Sequence, residues 1–211
     1  MTRPRPRLVL ASASPRRVAL LGQLHGVGDV VVTPADIDED AMSARAGDGT
    51  ALVTDIARAK AQAVWTPGTW VLAADTVVVH AGEILGKPRH RDHAGRMLRS
   101  MRDQAVDVLT SVVVVGPRGA RADEVVRSTL HIGHPSDDAI AGYVASGAAD
   151  DKAGGLAVQD QASEFVERLE GCRTNVYGLP LHAAIRLLDQ AGLPAGGACP
   201  GCPESPPTTH R

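Results

Sequence analysis

Apolar positions along the chain fall into two rhythms, and each change of rhythm marks an element. The run at residues 8–10 predicts a short strand that passes straight into a helix. Ser14 suits the N-cap, Pro15 the first helical position, and Val18, Ala19, Leu20 and Leu21 continue the turn. Gly26, Gly28 and Pro34 bracket a second strand at 30–32. Residues 51–64 carry Leu52, Val53, Ile56, Ala59, Ala63 and Val64 at near-helical spacing, with Arg58 and Lys60 breaking the stripe. Residues 70–79 are almost continuously apolar, which predicts a strand buried on both faces. Ala94, Met97, Leu98 and Met101 predict a helix at 91–101. The runs 106–115 and 124–132 flank Gly116-Pro117-Arg118-Gly119 and read as a long antiparallel hairpin. Ser136-Asp137-Asp138 opens a helix that Gly147 closes. Residues 150–159 read as a glycine-bent loop entering a strand, and 181–190 as a last helix before Gly192.

Polar residues set into these runs are the candidates for chemistry. Unpaired N–H groups at a helix start favour an anion, and Ser12, Ser14, Arg16 and Arg17 stand around such a start. A phosphate site and a plainly capped helix with solvated arginines both fit those residues. Asp75 interrupts the apolar strand at 70–79. Burying an ionised carboxylate without a partner is costly, so Asp75 either caps a neighbouring backbone or does chemistry. Asp36, Asp38, Glu39 and Asp40 crowd a polar connection, either a solvated loop or one that recruits a divalent metal or closes on substrate. Lys60 reads as a snorkelling residue unless a phosphate meets it. Lys87, carried on a proline-stiffened turn, is a second candidate phosphate partner.

The 211 residues suffice for one sizeable core, as one domain with two lobes or as two domains. A formal net charge of −2 leaves no electrostatic footprint for duplex DNA or an anionic membrane. Trp65, Trp70, Tyr143, Phe165 and Tyr177 are too scattered for a single-strand stacking platform, so nucleic acid is not an expected partner. A small anionic ligand fits better. The basic residues 1–7 precede too short an apolar run for a signal peptide, and no segment is long enough to span a membrane, so a cytoplasmic protein is expected. Cys172, Cys199 and Cys202 make no disulfide framework. From Pro194 the chain is rich in Pro and Gly without apolar period, which predicts a disordered tail over 194–211 behind a single domain at 1–193. Within that tail Cys199-Pro200-Gly201-Cys202 is a lone CxxC, weak as a sign of zinc or redox work. His90 with His93, and His131 with His134, have no third ligand close in sequence. Gly154-Gly155 lacks a following G-K-[ST] and is no P-loop.

Several separated stretches together resemble one family, the Maf nucleotide pyrophosphatases. They are Leu10-Ala11-Ser12-Ala13-Ser14-Pro15-Arg16-Arg17, Ala74-Asp75-Thr76, Gly82-Glu83-Ile84-Leu85-Gly86-Lys87-Pro88, Tyr143-Val144-Ala145-Ser146-Gly147, Asp151-Lys152-Ala153-Gly154-Gly155 and Val176-Tyr177-Gly178-Leu179-Pro180. The resemblance spans about residues 8–188. It implies an α/β fold, a mixed twisted sheet with flanking helices forming two lobes around a central cleft. It also implies hydrolysis of a nucleoside triphosphate to monophosphate and pyrophosphate with a divalent cation, magnesium or manganese. On that resemblance Asp75 matches the catalytic acid/base, Ser12, Arg16, Arg17, Lys60 and Lys87 match polar cleft residues, and Glu39 helps Asp75 hold metal. Arg16, Thr76 and Gln159 stand where the branch acting on dTTP and UTP has its selectivity residues. The branch acting on 7-methyl-GTP typically has Trp, Gln and Glu there.

The chain departs from the family at Asp160, Leu156 and Ala148-Ala149, around the base-reading loop, so the departures bear on base preference and leave the phosphate residues intact. The expected substrate is a nucleoside triphosphate. Thr76 and Gln159 are suited to the O4 and N3–H edge of thymine or uracil. The competing readings are a nucleotide-binding regulator of cell division that senses without hydrolysing, and a 7-methyl-GTP pyrophosphatase. Apolar surface on the lobes leaves room for a homodimer.

Overall fold

The computed structural model describes residues 7–44, 47–150, 152–156, 158 and 164–202. In chain order the elements are β1 (Arg7–Leu10), α1 (Pro15–Leu21), β2 (Asp29–Val32), α2 (Glu39–Ser43), α3 (Gly49–Val64), β3 (Trp70–His80), β4 (Glu83–Leu85), α4 (Arg91–Ser100), β5 (Ala105–Val115), β6 (Arg121–Ile132), α5 (Asp137–Ala145), a 3₁₀ turn (Ala153–Gly155), β7 (Val166–Glu170), α6 (Arg173–Val176) and α7 (Leu181–Gln190). The strands form one seven-stranded sheet in the order β2-β1-β3-β5-β6-β7, with β4 also on β3. β1 runs parallel to β2 and β3, and the other pairings are antiparallel. The sheet is thus mixed, with helices on both faces.

Side chains alternate across a strand, so β3 and β5 serve two cores each. On one face Leu72, Ala74, Val112 and Val114 bury against Leu20 and Leu21 of α1 and Leu181, Ala184, Leu187 and Leu188 of α7. On the other face Val71, Ala73, Val113 and Val115 meet Ala57 and Ala61 of α3. Farther along, Val78, Val106 and Val108 pack with Ala94 and Leu98 of α4 and Ile140, Tyr143 and Val144 of α5. Between these clusters the apolar pattern breaks on both strands at once. Asp75 pairs with Ser111, and Thr76 with Thr110.

The edge of β3 breaks at the same level. β1 pairs with it as far as Leu10↔Leu72, and β4 joins the same edge at Val78↔Leu85. Residues 73–77 therefore face a notch between the C-terminal end of β1 and β4, the kind of position where α/β sheets take ligands. No helix among the described residues is long and apolar enough to cross a membrane.

Two expectations are corrected. Among the described residues 156 and 158 no strand follows directly on Gly155, and the next strand in the chain is β7. Gly154 and Gly155 adopt left-handed φ values of 63° and 68°, Gly154 N donates to Gly86 O, and the turn delivers Leu156 into the α4–α5 cluster. Residues 194–202 of the expected disordered tail are built into the protein. His25 and Gly196 exchange backbone hydrogen bonds, Ala195 N donates to Asp189 Oδ1, and Cys199 is buried in the α1–α7 core. The apolar anchors are cysteines, which a search for aliphatic period passes over. Residues 203–211 lie outside the described residues.

Candidate active site

The notch on β3 gathers charge from three elements. Asp75 is 7% exposed and points to the α3 face, where Lys60, itself 9% exposed, meets it. Lys60 Nζ lies 2.8 Å from Asp75 Oδ1 and 2.9 Å from Glu39 Oε1. Glu39 opens α2 because Asp38 caps that helix, its side chain accepting from Ala41 N. Part of the acidic connection is thus a helix start, aimed so that one ammonium joins two carboxylates. Burial pushes the Asp75 carboxyl above its ordinary range, and Lys60 pulls the other way.

Arg17 approaches from α1 on the other face of β3. Its Nε donates to Gly178 O at 2.8 Å, Nη2 to Thr76 Oγ1 at 3.1 Å, and Nη1 reaches Ser12 Oγ at 3.5 Å. Ser12 Oγ also accepts from Ser14 N, and Ser14 caps α1 as expected. Burial holds the Arg17 guanidinium below its usual pKa, with Asp75 opposing that shift. Gly178 sits at φ 98°, and a Cβ there would come 3.4 Å from Arg17 Nε and 3.5 Å from Thr76 Oγ1. Glycine lets the loop backbone stand against the guanidinium.

The hydroxyls form a directed chain. Thr110 Oγ1 donates to Asn175 O, so it accepts from Thr76 across 2.9 Å, and Thr76 accepts from Arg17. The single Thr76 proton is spent inside the protein, and what this hydroxyl offers outward is a lone pair. Thr110 and Asn175 belong to none of the stretches that carry the family resemblance, and Gly178 stands in one of them without an expected role. Thr110 and Ser111 were detectable as hydroxyls set into a valine run, as Asp75 and Thr76 were. Ser111 Oγ, opposite Asp75, is buried without a hydrogen-bond partner among the described residues.

Other expected residues stand apart. Arg16 lines a groove of about 470 Å³ on the outer side of α1, with Ala19, Gln23, Thr174, Tyr177 and Pro200. Lys87 is exposed on the connection after β4 and makes no hydrogen bond or ion pair with a described residue. Gln159 lies outside the described residues. Neither histidine pair belongs to a group of three or more metal-ligand side chains among the described residues. His134 binds Asp103 and His131 binds Glu170 instead.

Two carboxylates meeting at one point are a hard-oxygen donor set suited to magnesium or manganese. Lys60 engages only Oδ1 of Asp75, and Oδ2 accepts no hydrogen bond from a described residue, so a carboxylate oxygen remains for a cation or a water. The residues present fit such an ion.

A family model described as Maf-like protein matches residues 7–191. A dTTP/UTP pyrophosphatase of Anaeromyxobacter dehalogenans is 45% identical over 192 residues, which cover 90% of this chain and 96% of that one. A dTTP/UTP pyrophosphatase of Thermomicrobium roseum is 42% identical over 209 residues, 94% of each chain. Among solved structures, a HAM1 protein from Coxiella burnetii aligns at a TM-score of 0.41 and 15% identity over 75% of this chain and 90% of that one.

Proposed function

Because the chain belongs to the Maf family, we propose that it is a hydrolase that cleaves nucleoside triphosphates, dTTP and UTP foremost, to the monophosphate and pyrophosphate. The observation that carries this reading is Asp75, an acid buried in the middle of the sheet and held by Lys60 at the one unpaired stretch of the β3 edge. Its relatives bear the name of that activity.

In this reading the triphosphate lies in the notch. Arg17 presents a fork fixed on two sides by Gly178 O and Thr76 Oγ1, so it meets phosphate oxygens without reorganising. Lys60 supplies a second cation, and Arg16, on the outer side of α1, and Lys87, on the exposed loop after β4, would have to turn toward the phosphates to add to it. Asp75 accepts a proton from the water that attacks the α-phosphorus. The bond from that phosphorus to the bridging oxygen breaks, and pyrophosphate leaves with the electron pair. Asp75 and Glu39 would hold a divalent cation, which supplies charge neutralisation and a more acidic water. A carboxylate raised by burial is a better proton acceptor than a free one, which suits a general base.

For the base, the outward lone pair of Thr76 suits the N3–H of thymine or uracil, and the Gln159 amide suits O4. The chain acts as one unit of two lobes with residues 194–202 packed onto it, the α1–α3–α7 clusters on one side of the notch and the α4–α5 cluster on the other. Substrates of this kind support a cytoplasmic location. The test is incubation of the purified chain with dTTP, UTP, CTP, dATP, GTP and 7-methyl-GTP, each with magnesium or manganese, separating products by anion exchange. Pyrophosphate with TMP or UMP is expected. Orthophosphate with a diphosphate, or no turnover of any nucleotide, refutes it, and 7-methyl-GTP as the best substrate refutes the base assignment.

A further inference from the structure

The retained tail brings its CxxC pair to two residues far from it in sequence. Cys172 precedes α6, His182 lies in the first turn of α7, and Cys199 and Cys202 come from the stretch bonded to His25. Their four ligand atoms lie within 4.8 Å of one another. Cys172 Sγ is 3.5 Å from Cys199 Sγ, and His182 Nδ1 is 3.7 Å from Cys199 Sγ and 3.2 Å from Cys202 Sγ. A tetrahedral zinc with Zn–S about 2.3 Å and Zn–N about 2.0 Å needs edges of about 3.8 Å between sulfurs and about 3.5 Å from sulfur to nitrogen. These three edges differ from the ideal values by a few tenths of an ångström, and all three cysteines are free thiols.

We propose that Cys172, His182, Cys199 and Cys202 bind a structural zinc ion. Three sulfurs and an imidazole are the soft donor set that selects zinc, and the two-residue spacer of Cys199-Pro200-Gly201-Cys202 is a zinc-ligand spacing. All four positions come from protein, so no place is left for a hydrolytic water, and this ion is distinct from a cation at Asp75 and Glu39. The site is held in shape by its surroundings. Ser128 Oγ accepts from Cys172 N and donates to Cys172 O. Thr174 Oγ1 accepts from Leu181 N and lies 3.1 Å from both Cys172 Sγ and Cys199 Sγ, where its proton supports a thiolate. The ion would fasten the tail to the segment between Cys172 and Leu181. That segment carries the Asn175 and Gly178 carbonyls that orient Thr110 and Arg17. The inference stands independently of which nucleotide, if any, is hydrolysed.

The test keeps the full chain reduced and measures metal by plasma mass spectrometry after desalting through EDTA. About one zinc per chain is expected, as is the intense visible absorption of tetrahedral thiolate-bound cobalt when Co²⁺ replaces it. Cys202→Ser, at the half-exposed end of the site, should fold with wild-type circular dichroism yet lose the zinc and the cobalt spectrum. Stripping zinc should lower the wild-type melting temperature and leave that of Cys202→Ser unmoved. A reduced chain that holds no zinc and stays spectroscopically silent with cobalt overturns the proposal. So does a folded Cys202→Ser that keeps wild-type zinc content and cobalt spectrum.

Discussion

Lys60 and Asp75 are fifteen residues apart in the chain, and their charged atoms touch at 2.8 Å in a part of the protein with almost no solvent. Neither charge is tolerable there alone. Replacing Lys60 by Met should destabilise the fold by roughly 3–5 kcal/mol, the cost of stranding one half of a buried pair. It should also lift the Asp75 carboxyl further, because Lys60 is the largest influence holding it down. The pH–rate profile of Lys60→Met should move its acid limb upward, and an unmoved limb would show that Asp75 is not the titrating base.

Asp75→Asn keeps the shape and removes the proton acceptor. Turnover should fall by about 10²–10⁴-fold or more, since general-base help alone is of that size. Nucleotide binding, followed by isothermal titration calorimetry, should remain measurable. Near-normal turnover refutes the role of Asp75.

The same variant exposes a stability effect with a definite sign. The folded state holds the Asp75 proton above the ordinary aspartate value of 3.8, so the unfolded chain releases it first as pH rises. The contribution of this group to stability is full below 3.8 and is lost as pH climbs through the folded pKa. Asp75→Asn lacks that ionisation. Its melting temperature relative to wild type should therefore improve as pH is raised from acid to neutral, as read by differential scanning fluorimetry. A constant difference would mean that Asp75 is not raised by burial.

Arg17 makes its contacts through a planar fork, which lysine cannot reproduce. Arg17→Lys should lose the bonds to Gly178 O and Thr76 Oγ1 and cost about 1.5–3 kcal/mol of transition-state binding, or roughly 10–100-fold in kcat/KM. Steady-state kinetics with dTTP checks it, with circular dichroism confirming the fold.

Base preference should respond to Gln159. Gln159→Glu replaces an amide donor with acceptors facing O4, and should lower the ratio of kcat/KM for dTTP over GTP by about 10–100-fold. An unchanged ratio removes Gln159 from base reading.

Much of this site could be read from residue order because it breaks strong patterns. Asp75 is an acid inside an apolar strand, and Ser14-Pro15 announces a helix start, so both stood out. Lys60 was legible as a cleft residue through the family resemblance, but its pairing with Asp75 was not, because a lysine beside a helical stripe is ordinarily solvated and only the fold brings Asp75 beneath it. Gly178 and Asn175 act through backbone carbonyls, which every residue owns and no motif advertises. The cysteine cluster was hidden differently. Cys199 and Cys202 looked isolated because Cys172 and His182 reach them only after α6 and α7 have turned the chain back on itself.

The unbroken ladder between β3 and β5, from Val71↔Val115 to Val79↔Asp107, passes beneath both apolar clusters without interruption at the notch. Two rails so joined do not open like a jaw, and an arriving nucleotide has no seam there to prise apart. Give must come from what is merely hung on the rails. α2, the one α-helix among the described residues that buries none of its own, brings Glu39 to Lys60, so it is the helix freest to shift that carboxylate against the ammonium.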